Sequence, residues 1–378
     1  MLENLNLSSS IIEYPTINNI YYIINEVSQY CNPKMFDKDE DSLVLDDYYG
    51  RVFTKYVYEN ICPYGITTKM PYYDCMGQNN YDIIGHFRVP YRKIPIFHVK
   101  SNIQAKEIID SVSAYYKYDQ ILFRGQERTY FLDTKRTDEE KLKLFGELTP
   151  REPSFLSSHI RKASNENYLR CLWNWQGRVL LNDIGADLHK TLPQEDLNKF
   201  YESKDAIEGT ELLSYFSLGM AQHYGLPSVG LDLTDNYEVA LCFATTHYDK
   251  DSANNLKVSM ISDFDESMIY IFRCSKSNVF DYKYTKPIFF PNSRPDFQHA
   301  WFCHAGWGYA KNQMALDLVC CIKVTSDMAK DINQEVIKSI FPSEEDDIIL
   351  KHFLRIKDKE YYTQEVKDVL SSIYKVVF

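Results

Sequence analysis

Three short segments of this chain place polar side chains beside residue patterns typical of strand ends and helix starts, where binding sites commonly form. The first is FRGQ at 123–126. The guanidinium of Arg124 offers a planar fork of donors suited to a diphosphate or a carboxylate. Gly125 allows a ligand to approach the backbone closely. The same four residues also fit a turn whose arginine forms a salt bridge with a neighbour.

The second segment is QHYGLPSVGLDLTDNYEVALCFA at 222–244. Asp232 and Thr234 are two residues apart, so on a strand they lie on the same face. The hydroxyl of Thr234 can then hold a ligand amide, and the imidazole of His223 can donate or accept a proton. The alternative is that Thr234 and Asp235 cap the helix that follows, and that His223 is a polar residue satisfied by the protein.

The third segment is FFPNSRPDFQ at 289–298, which an aromatic pair follows at 301–302. It contributes a second arginine, Arg294, and an amide, Gln298. A glutamine side chain both donates and accepts hydrogen bonds, but it cannot serve as an acid or a base at ordinary pH. The alternative for Gln298 is an ordinary polar residue at a helix start or strand end.

The elements that must position these segments are predicted from hydrophobic periodicity and from start and stop residues. Short strands are expected at 121–126, 267–274, 287–291 and 314–324, with an extended piece at 226–234. Helices are expected at 104–118, 138–146, 159–182, 194–203, 211–225, 235–248, 329–341, 345–355 and 363–374. Strands and helices do not alternate regularly, and neither a G-x-G-x-x-G nor a P-loop motif occurs. We therefore expect a mixed α+β domain with a modest sheet.

The first hundred residues follow a different pattern. A helix is predicted around 20–27, and an irregular stretch rich in tyrosine and proline extends from there to Val99. Only 93–99 resembles a strand, and Pro95 weakens that prediction. We expect residues 1–103 to form an N-terminal accessory region, 104–350 the main domain, and 351–378 a C-terminal helical extension.

Composition excludes several classes of protein. The chain has 378 residues, 44% of them hydrophobic, which is not the composition of a disordered or collagen-like protein. Its net charge of −11 argues against broad binding of nucleic acid through phosphates, although a local basic stretch from Arg124 to Arg151 can guide RNA or DNA to a cleft. No apolar run approaches 18 residues, and the N-terminus lacks a secretory pattern, so we expect a cytoplasmic protein without a membrane span.

The nine cysteines include no C-x-x-C pair, which favours reduced thiols over a disulfide framework. His299, Cys303 and His304 lie close together in sequence, but no second paired cluster completes a tetrahedral site. We therefore expect no bound metal.

Taken in order, the three segments resemble the FRG domain family, which is named for its Phe-Arg-Gly motif. The second resembles the family's Gln-His-aromatic-Gly-x-Pro signature, which continues into Leu-Asp-x-Thr and a helix of the form Ala-Leu-x-Phe-Ala. The third resembles its strand, Phe-x-Pro turn, arginine and glutamine, and FPSEEDDI at 341–348 resembles its C-terminal Phe-Pro turn. The resemblance covers about 104–350 and identifies this range as an FRG domain.

The chain departs from the family pattern at several positions. Ser228 stands where the family usually has threonine, which keeps the hydroxyl, and Val229 replaces the arginine that usually follows. Leu233 stands where the family usually has tryptophan, and Ala300 stands where a glycine usually follows the glutamine motif. The missing arginine removes a potential phosphate or structural contact.

FRG domains in turn resemble ADP-ribosyltransferases. This likeness implies a mixed split sheet surrounded by helices and NAD as a substrate. It implies three catalytic residues: Arg124 for the diphosphate or ribose, Thr234 for the nicotinamide side, and Gln298 for the nicotinamide ribose. It also implies a wider set of residues that contact NAD, among which Tyr224 would stack on the nicotinamide: Arg124, Gly125, Gln126, His223, Tyr224, Ser228, Asp232 and Arg294.

The implied function is transfer of ADP-ribose to a macromolecule, either a protein or a nucleic acid. The same likeness suggests a bacterial toxin or an anti-phage defence effector, with an antitoxin or regulatory protein as a potential partner. Two alternatives stay open. Gln298 and the missing arginine fit a module that binds a nucleotide or NAD without turnover. An NAD glycohydrolase would differ only in passing the ribosyl group to water.

Overall fold

The computed structural model describes residues 44–46, 48, 51–53, 81–90, 92–158, 166–252, 255–274, 279–303, 312–357 and 359–377. The helix predicted around 20–27 lies outside these ranges, as do His304 and the first part of the helix predicted at 159–182. Two compact units are present. Unit 1 comprises 1–117, 129–155 and 308–323, and unit 2 comprises 118–128, 156–307 and 324–378.

The helices of the described residues are numbered in chain order. They are α1 Asn102–Tyr115, α2 Asp138–Phe145, α3 Glu166–Leu188, α4 Gln194–Glu208, α5 Leu212–Gln222, α6 Tyr237–Thr245, α7 Arg294–Phe297, α8 Ser326–Ala329, α9 Gln334–Ser339, α10 Ile348–Lys357 and α11 Gln364–Leu370. None of these helices combines the length and apolar character that crossing a membrane requires.

The strands are numbered in the same way. They are β1 Val44–Asp46, β2 Arg51–Phe53, β3 Asp82–Val89, β4 Arg92–His98, β5 Gln120–Gln126, β6 Leu231–Thr234, β7 Thr246–Lys250, β8 Leu256–Met260, β9 Met268–Cys274, β10 Val279–Asp281, β11 Ala300–Cys303, β12 Leu318–Lys323 and β13 Val376–Val377. Helices and strands that pair both parallel and antiparallel confirm the α+β class.

Unit 1 contains a strand that the sequence did not reveal. β3 pairs antiparallel with β4, and a bulge interrupts the register between Ile83 and Gly85. β4 in turn pairs parallel with β12, with Ile96 opposite Cys321. The strand predicted at 93–99 is therefore confirmed in spite of Pro95. α1 begins at its N-cap Ser101, whose hydroxyl accepts a hydrogen bond from the Gln104 N–H.

In unit 2, antiparallel strands follow the order β10-β11-β6-β5-β9. The first segment lies on β5, part of the second lies on β6, and the third forms the connection that leads into β11. Thr234 of β6 lies opposite Phe123 of β5 on one side and Ala300 of β11 on the other. The full length of β5 pairs with β9, with Arg124 opposite Tyr270. The register alone brings the FRGQ segment, the Asp232–Thr234 strand and the start of β11 side by side.

Helices α3, α5, α10 and α11 contribute to one hydrophobic core in unit 2. Trp173, Phe216 and Phe353 are at most 1% exposed in it. The indole of Trp173 also donates a 2.8 Å hydrogen bond to the Pro227 carbonyl, which fixes the segment between α5 and β6. At full burial, large side chains of this kind each contribute about 1.5–3 kcal/mol. This core holds the C-terminal end of α5 in place, where the second segment begins.

Several local predictions were wrong. Gln313–Asp317 form a 3-10 helix where the predicted strand 314–324 begins, and the last three residues of the helix predicted at 235–248 belong to β7. Residues 287–291 do not form a strand, and Phe289 adopts a left-handed φ of 65° there. α6 is capped by Asn236, whose side chain accepts from the N–H groups of Glu238 and Val239, and not by Asp235. Of the helix predicted at 329–341, only the six residues of α9 and the last residue of α8 are helical.

Candidate functional site

Gly125 is required by the packing of the protein itself. A Cβ atom at this position would lie 1.7 Å from the Ala240 carbonyl oxygen and 2.8 Å from the Ala244 nitrogen. Such distances are far below van der Waals contact, so only glycine lets α6 pack this closely on β5. The sequence predicted that a ligand would approach the backbone at Gly125, and the structure places the backbone of α6 against it.

Arg124 links two strands of the site. Its Nη1 donates a 2.6 Å hydrogen bond to the backbone carbonyl of Asp232 on β6. The residue is half-buried, so part of the side chain is accessible to solvent. A charge-assisted hydrogen bond of this kind contributes about 1.5–3 kcal/mol. Arg124 therefore lies beside Asp232 in space, although 108 residues separate them in the chain.

The carboxylate of Asp232 is held between two residues at the end of α5. Its Oδ2 accepts a 3.2 Å hydrogen bond from the Gln222 side chain. Its Oδ1 lies 3.6 Å from Nε2 of His223, and neither of these two atoms forms a hydrogen bond with any described residue. The Asp232 side chain is 35% exposed, while the His223 side chain is 3% exposed. The carboxylate is therefore fixed from its buried side and reachable from the other.

His223 connects the second segment to the third. Its Nδ1 lies 3.0 Å from Oε1 of Gln298, and the Gln298 amide nitrogen donates a 3.0 Å hydrogen bond to the Ile340 carbonyl. The carbonyl acceptor at Ile340 fixes the orientation of the amide, so Oε1 faces the imidazole and Nδ1 is the nitrogen that carries the proton. Both ends of the Gln298 amide are therefore bonded within the protein.

Thr234 is bonded on both sides of its hydroxyl. The hydroxyl donates to the Gln298 backbone carbonyl at 2.9 Å and accepts from the Asn236 N–H at 3.1 Å. Thr234 and Gln298 are each 5% exposed. These bonds join β6 to the turn before β11, which makes both residues part of the support of the site.

Ser228 is likewise enclosed. Its hydroxyl donates to Oε1 of Gln222, and its backbone N–H donates to the Ser158 hydroxyl at 3.0 Å. The first of these bonds orients the Gln222 amide, so its nitrogen faces Asp232. The Ser228 hydroxyl therefore orients the Gln222 amide, and Gln222 in turn holds the Asp232 carboxylate.

Arg294 and Tyr224 form a buried cation–π pair. The guanidinium lies 4.6 Å from the centre of the Tyr224 ring, and its Nη1 donates a 2.9 Å hydrogen bond to the His223 carbonyl. The Tyr224 hydroxyl donates to Asp347, with oxygen distances of 2.6 and 2.8 Å. Burial raises the pKa of the Asp347 carboxyl, and the Arg294 guanidinium opposes that shift.

The sequence predicted that Tyr224 would stack on a planar ligand, and the structure corrects this. The ring is fully buried, with Arg294 on it and Phe353 beside it at 5.7 Å between ring centres. Arg294 is itself only 1% exposed. Both side chains therefore support the α5–β6 connection, and a ligand at the surface does not reach them without rearrangement.

The predicted site residues accordingly form two layers. The outer layer is half-buried: Arg124, Gly125, Gln126 and Asp232. The inner layer is buried: His223, Tyr224, Ser228, Thr234, Arg294 and Gln298. Gln126 contributes a side-chain oxygen that is buried without a hydrogen-bond partner among the described residues. Only the outer layer offers polar groups directly to a ligand.

Sequence reasoning gave no site role to three residues that the structure brings into this network. Gln222 bonds Asp232, Asp347 bonds Tyr224, and the Tyr374 hydroxyl donates a 3.2 Å hydrogen bond to the His223 carbonyl. Gln222 begins the QHYG motif, so its position in that motif was the available signal. Asp347 and Tyr374 lie far along the chain, and no local pattern connects them to α5.

The basic stretch that was expected to guide a nucleic acid is in part structural. In unit 1, Arg136 forms a buried ion pair with Glu152, and Arg151 lies 5.3 Å from the centre of the Phe87 ring. Among the described residues, no group of three His, Cys, Asp or Glu side chains has the arrangement of a metal site.

Residues 119–253 match the family model described as FRG domain. The matched range contains Arg124, His223, Asp232 and Thr234 and ends before Arg294 and Gln298. No curated protein and no solved structure matches this chain. The matched range therefore includes the first and second segments, and only the structure connects the third segment to them.

Proposed function

We propose that this protein is an NAD-dependent ADP-ribosyltransferase-like enzyme that modifies a macromolecule. The FRG domain match at residues 119–253 supports the family part of this proposal. The activity rests on the likeness of FRG domains to ADP-ribosyltransferases. The single observation that carries it is the connection of the three segments: Arg124 bonds Asp232, Asp232 lies against His223, and His223 bonds Gln298.

The residue types suit the chemistry. Cleavage of the bond between ribose and nicotinamide develops positive charge on the sugar, so a site that positions the substrate and stabilises charge is sufficient. The half-buried guanidinium of Arg124 fits a diphosphate. The Gln126 side-chain oxygen, which accepts no hydrogen bond from the described residues, fits a donor such as a hydroxyl or an amide N–H. NAD carries all of these groups.

A non-catalytic binding module is the second candidate, and one observation favours it. Thr234 and Gln298, two of the three residues expected to act on NAD, are buried and bonded to other parts of the protein. In such a module, the half-buried outer layer would bind a nucleotide. The buried inner layer would pass the resulting structural change to a partner protein. An NAD glycohydrolase is a variant of the first candidate in which water accepts the ribosyl group.

One experiment separates these functions. Purified full-length protein is incubated with NAD labelled on the adenylate part and with a cell lysate. A transferase produces label on protein or nucleic acid together with free nicotinamide, and a glycohydrolase produces free nicotinamide alone. If neither product forms while NAD raises the melting temperature, the protein is a binding module. If NAD has no effect in either assay, the NAD assignment is wrong.

The biological setting that fits this activity is a bacterial toxin or an anti-phage effector in the cytoplasm. This part of the proposal rests on the likeness to ADP-ribosyltransferases alone. It predicts that induced expression slows bacterial growth and that Arg124→Ala removes the effect. A growth defect that persists in Arg124→Ala would contradict it.

A further inference from the structure

We propose that the carboxylate of Asp232 supplies the negative charge that stabilises the ribosyl cation. A glutamate at position 298 would be the simplest candidate for this role, but this chain has a glutamine there. The inference rests on the proposed function. It assigns Asp232 as a catalytic residue in contact with the sugar, and His223 and Gln222 as positioning residues that hold it.

Gln298 does not meet the requirement for charge. Its amide is neutral, and both of its ends are bonded, one to His223 and one to Ile340. The residue is 5% exposed. An enzyme that uses Gln298 to oppose a cation would have to break two hydrogen bonds and would gain only a dipole.

Asp232 meets the requirement on geometry. Its side chain is 35% exposed, and its backbone carbonyl is bonded by the arginine that fits the diphosphate. Its Oδ2 is held by Gln222, whose own amide is oriented by Ser228. A charge fixed in advance by the protein stabilises a developing cation without the cost of reorganisation.

The position of His223 adds a second argument. Its Nδ1 proton is committed to Gln298, and its Nε2 faces Oδ1 of Asp232 at 3.6 Å without a hydrogen bond. Two buried polar atoms that face each other without a hydrogen bond are costly for folding. Buried polar groups left without a hydrogen bond in a native structure call for an explanation, and a catalytic role is one.

Three other carboxylates near these segments are engaged elsewhere. Glu127 forms a 2.5 Å hydrogen bond with His247, and that bond raises the pKa of the His247 imidazole. Asp235 accepts from the Trp301 indole at 2.9 Å. Asp347 is fully buried beneath Tyr224. Asp232 is the carboxylate bonded through its own backbone to Arg124.

The step balances as follows. The bond between C1′ of the ribose and the pyridinium nitrogen breaks, and both electrons stay on nitrogen, so neutral nicotinamide leaves. C1′ carries the positive charge next to the Asp232 carboxylate. A lone pair of the acceptor atom then forms the new bond to C1′, and the proton of that acceptor is lost to the solvent. Asp232 begins and ends the step as a carboxylate.

The test compares nicotinamide release from NAD by the full-length wild type, Asp232→Asn and Glu127→Gln. Removal of one stabilising group of this kind lowers kcat about 10²–10³-fold. We expect that loss for Asp232→Asn, with KM changed less than about 5-fold, since the diphosphate contact at Arg124 is retained. Glu127→Gln removes a carboxylate that is already paired, and we expect its kcat to stay within about 3-fold of the wild type.

Each outcome is decisive. If the wild type releases nicotinamide and Asp232→Asn keeps its kcat, Asp232 is not the charged residue. A large loss in Glu127→Gln instead would transfer the role to Glu127 and overturn the proposal. A wild type that releases no nicotinamide and labels no macromolecule refutes the proposed function itself, and this inference with it. If Asp232→Asn does not fold, Asp232→Ser, which keeps an acceptor for Gln222, replaces it under the same criteria.

Discussion

Nδ1 of His223 lies 3.0 Å from Oε1 of Gln298, and this hydrogen bond joins two segments that are 75 residues apart in the chain. The bond connects the QHYG segment to the RPDFQ segment. The first ends a helix whose C-terminus must be fixed, and the second supplies the amide that fixes it. The pair lies next to the half-buried Asp232 carboxylate, whose Oδ1 is 3.6 Å from Nε2 of His223.

This relationship predicts that removal of the His223 side chain destabilises unit 2. His223→Ala leaves the Gln298 oxygen buried without its donor, which costs about 1–3 kcal/mol. Denaturant unfolding of the full chain measures the loss. His189→Ala, at an exposed position, is the matched control and should change the free energy of unfolding by less than about 0.5 kcal/mol. Equal stability of the two variants would contradict the role assigned to His223.

Gly125 should not tolerate a side chain. Gly125→Ala places a methyl group within 3 Å of the α6 backbone, where no side chain can move aside. We expect a loss of at least about 3 kcal/mol, or failure to fold, measured by thermal and denaturant unfolding. Gly85→Ala is the control, because its Cβ would meet only ordinary contacts at 3.6 and 3.8 Å. A Gly125→Ala variant as stable as Gly85→Ala would show that α6 does not pack on β5 in this way.

Arg124 should contribute to nucleotide affinity as well as to folding. Arg124→Ala removes a charged donor at the diphosphate position, and we expect affinity for NAD or ADP-ribose to fall at least 10-fold. Isothermal titration calorimetry with the full chain measures this directly. Arg170→Ala, an exposed arginine on α3, is the matched control and should bind as the wild type does. Unchanged affinity in Arg124→Ala would show that Arg124 does not bind the diphosphate.

His352 predicts a pH dependence of stability. Burial is the largest cause that lowers its pKa to about 4 from the ordinary 6.5, so the folded state excludes a proton that the unfolded state binds below pH 6.5. Stability is therefore complete above pH 6.5 and falls as the pH decreases toward 4, by up to about 3 kcal/mol. Unfolding measured from pH 7.5 to 4.5 tests this.

The control for that profile is His352→Gln, which can keep a hydrogen bond to the Gln176 oxygen that accepts from the His352 Nε2 at 3.3 Å. This variant should lose part of the decrease in stability between pH 6.5 and 4.5. A variant profile that superimposes on that of the wild type would show that another group causes the decrease.

The sequence was sufficient for features that local patterns encode. The strand at β5, the helix at α6 and the buried strand β9 were each predicted, because apolar runs and turn residues mark them. The contact between Arg124 and Asp232 was not predicted, because it depends on the pairing of β5 with β6 across more than a hundred residues. Strand pairing of this range is set by tertiary packing.

Local sequence patterns were insufficient for the site for the same reason, because tertiary packing determines which side chains are exposed. Residue types indicated which side chains can do chemistry, but exposure decided which of them face a ligand. Tyr224 and Thr234 have suitable chemistry and are buried, because Arg294 covers the first and Asn236 and Gln298 bond the second. Asp232 has no special signal in the sequence beyond its motif, and it is the accessible carboxylate next to Arg124.

The most direct test of this account is the release of nicotinamide from NAD by the purified full-length protein, measured side by side for the wild type, Arg124→Ala and Asp232→Asn, with folding of each checked by circular dichroism. The account predicts release by the wild type and a loss of at least about 100-fold in both folded variants. Wild-type release that both folded variants retain, or no release and no transfer of label by the wild type, would contradict it.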